Sequence, residues 1–281
     1  MESSTAIIKV APTVIFLFKD SDGFSFAVAN ALHPPPNSSF RRLEESFELP
    51  LDQFGIKDVK AKGNFIHFID TDGNYQVSVL ILEKYESPTL VCAITKVLTQ
   101  IRDASPAIPT LIVPFAGMSS KLKWESKALM QNNAKVSLYG VQIGPETETS
   151  RAISTRTQKP PASLQIHYEP LACFLHLVRV LNLPTSILIG KKGHRLSDKA
   201  AGEELEILYE MGELLETTIS LSLREITWTP ASASKENAIS DAIRAIFRDS
   251  HRCCLTGSDK PKTVGIDKPR NLRALISDPE H

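Results

Sequence analysis

Long apolar stretches are missing from this 281-residue chain. The longest near its start, Val14 to Phe18, follows Lys9 and Pro12 and is far too short to cross a bilayer or to form the core of a secretory signal. That argues against membrane attachment and leaves the cytoplasm, or the nucleus, as the expected compartment. Net charge is missing too, since 32 Lys and Arg balance 32 Asp and Glu. No global field draws the chain to nucleic acid, so a partner has to be met through shape and local patches. Cysteine is scarce, with Cys92, Cys173, Cys253 and Cys254 at spacings that fit neither a disulfide framework nor a zinc ligand set, as expected in a reducing compartment.

Local catalytic patterns are also lacking. Gly117, Gly140 and Gly144 stand alone, and nothing matches the phosphate-cradling G-x-x-x-x-G-K-[ST] or a G-x-G-x-x-G after a strand. A serine elbow of the form G-x-S-x-G does not occur. His67, His167, His176 and His194 are too scattered for metal-ligand spacing, and His176 shares with Arg179 the less apolar side of a helix, where it reads as a hydrogen-bonded structural residue. Asp20, Asp22, Asp70 and Asp72 sit where turns are expected and are accounted for by turn chemistry. The expectation is a protein that is not an enzyme, with no catalytic residues, no cofactor and no metal.

What is present is an alternation of strand and helix. Thr13 to Phe18 is β-branched, aromatic and continuously apolar, as a strand buried on both faces should be, and Phe24 to Leu32 follows as a short helix after the turn at Asp20–Gly23. Residues 34–62 show no sustained period and read as irregular, with at most one short helix. Asn64–Asp70 and Tyr75–Leu82 flank Thr71-Asp-Gly-Asn74 and predict an antiparallel hairpin. Ser87 as N-cap and Pro88 at the first position open a helix with Leu90, Val91, Ile94, Leu98 and Ile101 on its buried side. Thr110–Val113 and Val136–Ile143 read as further strands.

Residues 144–161 are polar and read as a mobile surface loop. Pro170 then opens a largely buried helix carrying Leu171, Phe174, Leu175, Leu177, Val178, Val180 and Leu181. Pro184 stops it, Thr185–Ile189 forms a strand, and residues 202–219 resume helical spacing through Leu205, Leu208, Gly212, Leu215 and Ile219. Such alternation predicts an α/β fold with a mixed, mainly parallel sheet flanked by helices, in one domain over residues 5–229. Residues 230–281 read as a flexible tail with a short helix at 236–248.

Two features invite a functional reading. Gly190-Lys-Lys-Gly193 has the form of a KH-type GxxG loop, which would bind RNA through Lys191 and Lys192, but a KH loop is entered from a helix and this one is entered from a strand. An ordinary turn accounts for it better. Glu203, Glu206, Glu210 and Glu213 form an acidic stripe that reads as a solvated helix face.

The order of elements resembles the proteasome assembly chaperone 1 family. The resemblance rests above all on Ser163-Leu-Gln-Ile-His-Tyr-Glu-Pro-Leu-Ala-Cys-Phe-Leu-His-Leu-Val-Arg-Val-Leu-Asn-Leu-Pro-Thr-Ser-Ile-Leu-Ile189, with support from Thr13–Leu32 and Tyr75–Pro114, over residues 5–228. It implies a phosphorylase-like fold without catalysis, a heterodimer with a proteasome assembly chaperone 2-like subunit, and binding of proteasome α subunits during ring formation. The family's hydrophobic-Tyr-X ending has no counterpart here, where the last residues are Ser277-Asp-Pro-Glu-His281, so tail insertion does not carry over. An RNA-binding module using the GxxG loop and a small-molecule enzyme of phosphorylase-like fold are the alternatives.

Overall fold

Thr13-Val-Ile-Phe-Leu-Phe18 forms β1 (Thr13–Phe18), apolar along nearly its whole length because it lies in mid-sheet with packing on both faces. The computed structural model describes residues 8–20, 23–34, 39–104, 107–117, 121–123, 138–191, 200–220 and 227–228. Gly23 turns the chain at a φ of 74°, which side-chain-bearing residues seldom adopt, into α1 (Phe24–Ala31), followed by the two-residue β2 (Leu32–His33). Next come β3 (Arg41–Pro50), a 3-10 turn at Asp52–Phe54, β4 (Lys60–Ile69), β5 (Tyr75–Leu82) and α2 (Thr89–Asp103). The chain continues through β6 (Thr110–Gly117), β7 (Leu122–Lys123), β8 (Leu138–Ile143), α3 (Glu148–Ser154), β9 (Gln165–Ile166), α4 (Glu169–Val180), β10 (Thr185–Lys191), α5 (Ala200–Ser220) and β11 (Thr227–Trp228).

Seven strands make one sheet in the order β3-β4-β5-β1-β6-β10-β8. The middle four, β5, β1, β6 and β10, run parallel, while β3, β4 and β8 join antiparallel. This is the mixed α/β sheet that the alternation predicts. Helices α2 and α4 cover one face, over Val14, Phe16, Leu80 and Val113. Helices α1, α3 and α5 cover the other, over Ile15, Leu17, Ile112 and Leu188. The expected hairpin is closed by Asp70, whose carboxylate accepts the backbone N–H of Asp72 and of Asn74, each at 2.9 Å, with Gly73 at a φ of 84°.

The structure corrects five local expectations. Residues 34–62 hold β3 and the start of β4 instead of an irregular excursion. At the border of a sheet only Phe47 and Leu49 of β3 need burial, so the apolar period that betrays a strand is absent there. Within 144–161, α3 replaces the loop. Thr147 Oγ1 accepts the Ser150 N–H at 3.1 Å and Ser150 Oγ accepts the Thr147 N–H at 2.8 Å, a capping box in which Ser stands where Glu or Gln is usual. Ser87 is not the cap of α2, since its hydroxyl donates to Glu169 at 2.6 Å and so ties the start of α2 to α4. Helix α5 buries Gly212, Leu215 and Ile219 and half-buries Leu208 as expected, and it widens that stripe with Ile207, Met211, Leu214 and Thr218. Helix α4 buries only Leu171, Phe174 and Val178 and leaves Val180 68% exposed, while Val91 of α2 is 41% exposed. The segment 230–281, with its expected helix at 236–248, lies outside the described residues.

Candidate functional site

Open α/β sheets bind ligands beyond the carboxyl ends of their parallel strands, where successive connections leave for opposite faces. Here β1 leads to α1 on one face and β5 leads to α2 on the other, which places the reversal between these two neighbours. At that point Lys19 donates to both carboxylate oxygens of Glu83 at 2.8 Å. Beside them Phe18 meets Phe174 edge-on at 5.7 Å and Tyr168 at 6.2 Å, Phe115 stacks on Tyr168 at 5.3 Å, and Lys121 Nζ lies 5.2 Å from the Tyr168 ring. What the described residues bring to this end is an ion pair and aromatic packing.

A grouping that the sequence did not announce lies on β3, β4 and β5. His67 Nδ1 is 2.8 Å from Ser78 Oγ, Ser78 Oγ accepts the Ala11 N–H at 2.9 Å, and His67 Nε2 is 4.0 Å from the Glu45 carboxylate. The residue types are those of a nucleophile, a base and an acid, but Ser78 is fully buried between strands and cannot meet a substrate. Burial lowers the His67 pKa to about 4, so the imidazole is neutral at physiological pH. The grouping satisfies the buried amide of Ala11 and is structural. Its signal in the sequence was the hairpin, but a bulge between Phe68 and Ile69 shifts the pairing by one residue and brings Ser78 opposite His67.

Two cavities adjoin the sheet. One of about 360 Å³ lies between Lys9 and Glu45, Phe47, Phe65, His67 and Tyr75. The other, of about 190 Å³, lies under α3 beside β8 and includes Ser186, whose buried hydroxyl has no hydrogen-bond partner among the described residues.

The outer side of α4 carries exposed Val180 flanked by exposed His176 and Arg179, while half-buried Cys173 and Leu177 pack against the core at the border of that side. His176 and Arg179 thus lie together on the less apolar, solvent-facing side of the helix, where the sequence placed them. Burial, then the nearby Glu169 and Cys92, pushes the Cys173 thiol up, away from thiolate chemistry. Of the acidic stripe, Glu206 and Glu213 are exposed and Glu210 is half-buried, while the side chain of Glu203 lies outside the described residues. Gly190 and Lys191 end β10, and Lys192, Gly193 and His194 lie outside the described residues. A Cβ on Gly190 would come within 2.4 Å of Ile207 Cγ2, so this glycine lets α5 close on the sheet. Among the described residues no group of three His, Cys, Asp or Glu could hold a metal ion, and no helix is long and apolar enough to cross a membrane.

A family model matches residues 8–248 of this chain. The chain belongs to that family, Domain of unknown function (DUF7894). No curated protein matches it. Among solved structures it is similar to Pyrococcus furiosus PbaB, an archaeal proteasome activator, at 9% identity and a TM-score of 0.44, over 88% of this chain and 96% of that one. It is similar to Pyrococcus furiosus PbaA, an archaeal homologue of proteasome-assembly chaperone, at 16% identity and a TM-score of 0.38, over 89% and 98% of the two chains. A proteasome-assembly chaperone homologue from Mycobacterium tuberculosis is similar at 12% identity and a TM-score of 0.40, over 88% and 97%.

Proposed function

We propose that this DUF7894 chain is a non-catalytic chaperone of 20S proteasome assembly in the cytoplasm or nucleus. It works as a heterodimer with a second assembly chaperone of similar fold and holds proteasome α subunits while their ring forms. The observation that carries the reading is the outer side of α4. This helix lies inside the stretch with the strongest resemblance, 163–189, and a helix that only covered a sheet would turn polar residues outward. Instead Val180 is 68% exposed, beside Cys173 and Leu177, which pack against the core but stay only half-buried, a pattern suited to the apolar centre of a protein interface, with His176 and Arg179 at its rim. Binding through a helix face needs neither acid, base nor cofactor.

Affinity purification of the tagged chain from its own cells, followed by mass spectrometry, tests the reading. It should recover α subunits together with a second chaperone. Val180→Asp, with its thermal melt unchanged, should lose the second chaperone by about tenfold or more, as expected when a charge is placed in a desolvated contact. Recovery of neither class of protein, with the chain running as a monomer, would sink the proposal.

A further inference from the structure

In the cavity of about 190 Å³ under α3 stands Ser186, second in β10 and 2% exposed, whose Oγ has no hydrogen-bond partner among the described residues. A buried hydroxyl left in that state is costly, and folded proteins leave few of them without a water or a ligand. One water takes up about 30 Å³. The cavity is therefore too large for a single water to fill and has room for a molecule of about six non-hydrogen atoms.

The lining sets the chemistry of that molecule. Along α3 and the turn after it, hydroxyl hydrogens are already committed: Ser154 Oγ donates to the Arg151 carbonyl at 2.9 Å, and Thr157 Oγ1 to that of Ile153 at 3.0 Å. These two oxygens offer lone pairs to the cavity and suit a donor. The other wall offers donors. Ser186 keeps its hydrogen free, Gln142 stands opposite it on β8, and Gln158 and Lys159 add an amide and an ammonium. Ile153 and Val141 supply apolar wall, which suits carbon.

Lys159 is the only charged residue of the lining among the described residues. Neighbouring charges are engaged or turned elsewhere. Arg151 Nε donates to Glu146 at 2.5 Å, Arg156 donates to Thr217 of α5, and Glu148, in the first turn of α3, does not line the cavity. An anion is therefore favoured over a cation. Its charge costs least where water still reaches it, which is the mouth beside exposed Gln158 and Lys159, so the uncharged end points in toward Ser186.

We propose that this cavity binds a short-chain hydroxycarboxylate, with its carboxylate on Lys159 at the mouth and a hydroxyl between Ser186 and Thr157. Ser186 donates to the ligand hydroxyl, and the ligand hydroxyl donates to Thr157 Oγ1, which answers the free hydrogen and the free lone pair together. The site lies on the face of the sheet opposite α4 and does not depend on the chaperone reading.

The test titrates the full isotopically labelled chain with glycerate, with glycerol as its uncharged counterpart, and with inorganic phosphate as an anion that has no carbon chain. Glycerate should bind at about millimolar concentration and move the amide resonances of residues 140–142, 154–159 and 186. Glycerol and phosphate should each bind about tenfold more weakly. Ser186→Ala should lower glycerate affinity about five- to tenfold while its melt stays level or rises, because the variant removes a buried hydroxyl that lacks a partner. Lys159→Gln, at an exposed position, should bring glycerate down to the level of glycerol. No resonance change with glycerate would leave water as the occupant and overturn the proposal. Glycerol or phosphate bound as tightly as glycerate, or full affinity in either variant, would overturn it as well.

Discussion

β1 and β3 belong to one sheet, yet they are held in it by different physics. Every residue of β1 but the last is buried, with Phe16 packed 4.7 Å from Phe174 and 5.2 Å from Phe18. In β3 only Phe47 and Leu49 are buried, and the remaining positions depend on cross-strand pairs such as Glu48 with Lys60 and Lys62. In the centre, apolar area removed from water does the holding, and it responds to volume but little to salt. At the border, pairs of exposed charges do it, each weak and screened. The contrast also divides what each can do: a strand sealed on both sides can only support, whereas β3 has a single strand neighbour among the described residues.

The sharpest way to break the comparison is to remove volume at its centre. Phe16→Ala should cost about 3–5 kcal/mol, because the ring is fully buried and its neighbours come from both β1 and α4. Phe47→Ala, on β3 at 9% exposure, should cost clearly less, since solvent can relax into the space. Urea denaturation of both variants decides it, and equal losses would mean that β3 is as much core as β1.

Acid sharpens the contrast from the other side. The unfolded chain protonates His67 near its ordinary value of 6.5, while the folded chain does so only at about 4. The unfolded state therefore binds the extra proton between these two values, stability is full above about 6.5, and it falls as pH drops toward 4, by up to about 3 kcal/mol. His67→Phe should flatten that slope in chemical denaturation followed across pH, and an unchanged slope would place the acid sensitivity elsewhere.

Gly190→Ala tests the centre on a smaller scale. Its Cβ would stand 2.4 Å from Ile207 Cγ2 and 3.0 Å from Met211 Cε, so α5 has to give or the rotamers have to change, at a cost of about 1–3 kcal/mol in a thermal melt. A neutral outcome would show that α5 rides loosely on β10.

The same contrast explains what could be read from the residues alone. β1, β5, β6 and β10 were legible because burial on both faces writes itself as uninterrupted apolar sequence. β3 was not, because Arg41-Arg-Leu-Glu-Glu-Ser-Phe-Glu-Leu-Pro50 makes sense only once Lys60, Lys62 and Asn64 stand opposite it. α3 was missed because its capping partner is Ser150 instead of an acid or amide three places on. The outward apolar side of α4 looked like core, since composition cannot say which apolar residue of Leu177, Val178 and Val180 meets the sheet. The His67–Ser78 pair depended on a bulge between Phe68 and Ile69. Apart from the local cap of α3, these misses concern partners distant in sequence, which no local pattern records.

The smallest effect should come from Glu48→Gln. Hydrogen bonds from Lys62 and Lys60, at 2.7 and 2.9 Å, hold the Glu48 carboxyl down at about 2, but the side chain stands in solvent, where most of that attraction is screened. Its contribution is present above the usual carboxylate range and is lost as pH falls toward 2. At neutral pH and low salt the variant should melt slightly below the parent, and in about 1 M salt, where charges act over only about 3 Å, the two should coincide. A salt-independent gap as large as that of Phe16→Ala would mean that the border pairs are packed, not merely charged. Glu45→Gln is the informative companion: among the described residues its carboxylate has no ion-pair partner nearer than His67 Nε2 at 4.0 Å, a ring that burial keeps neutral, so the variant should leave the melt unchanged or raise it.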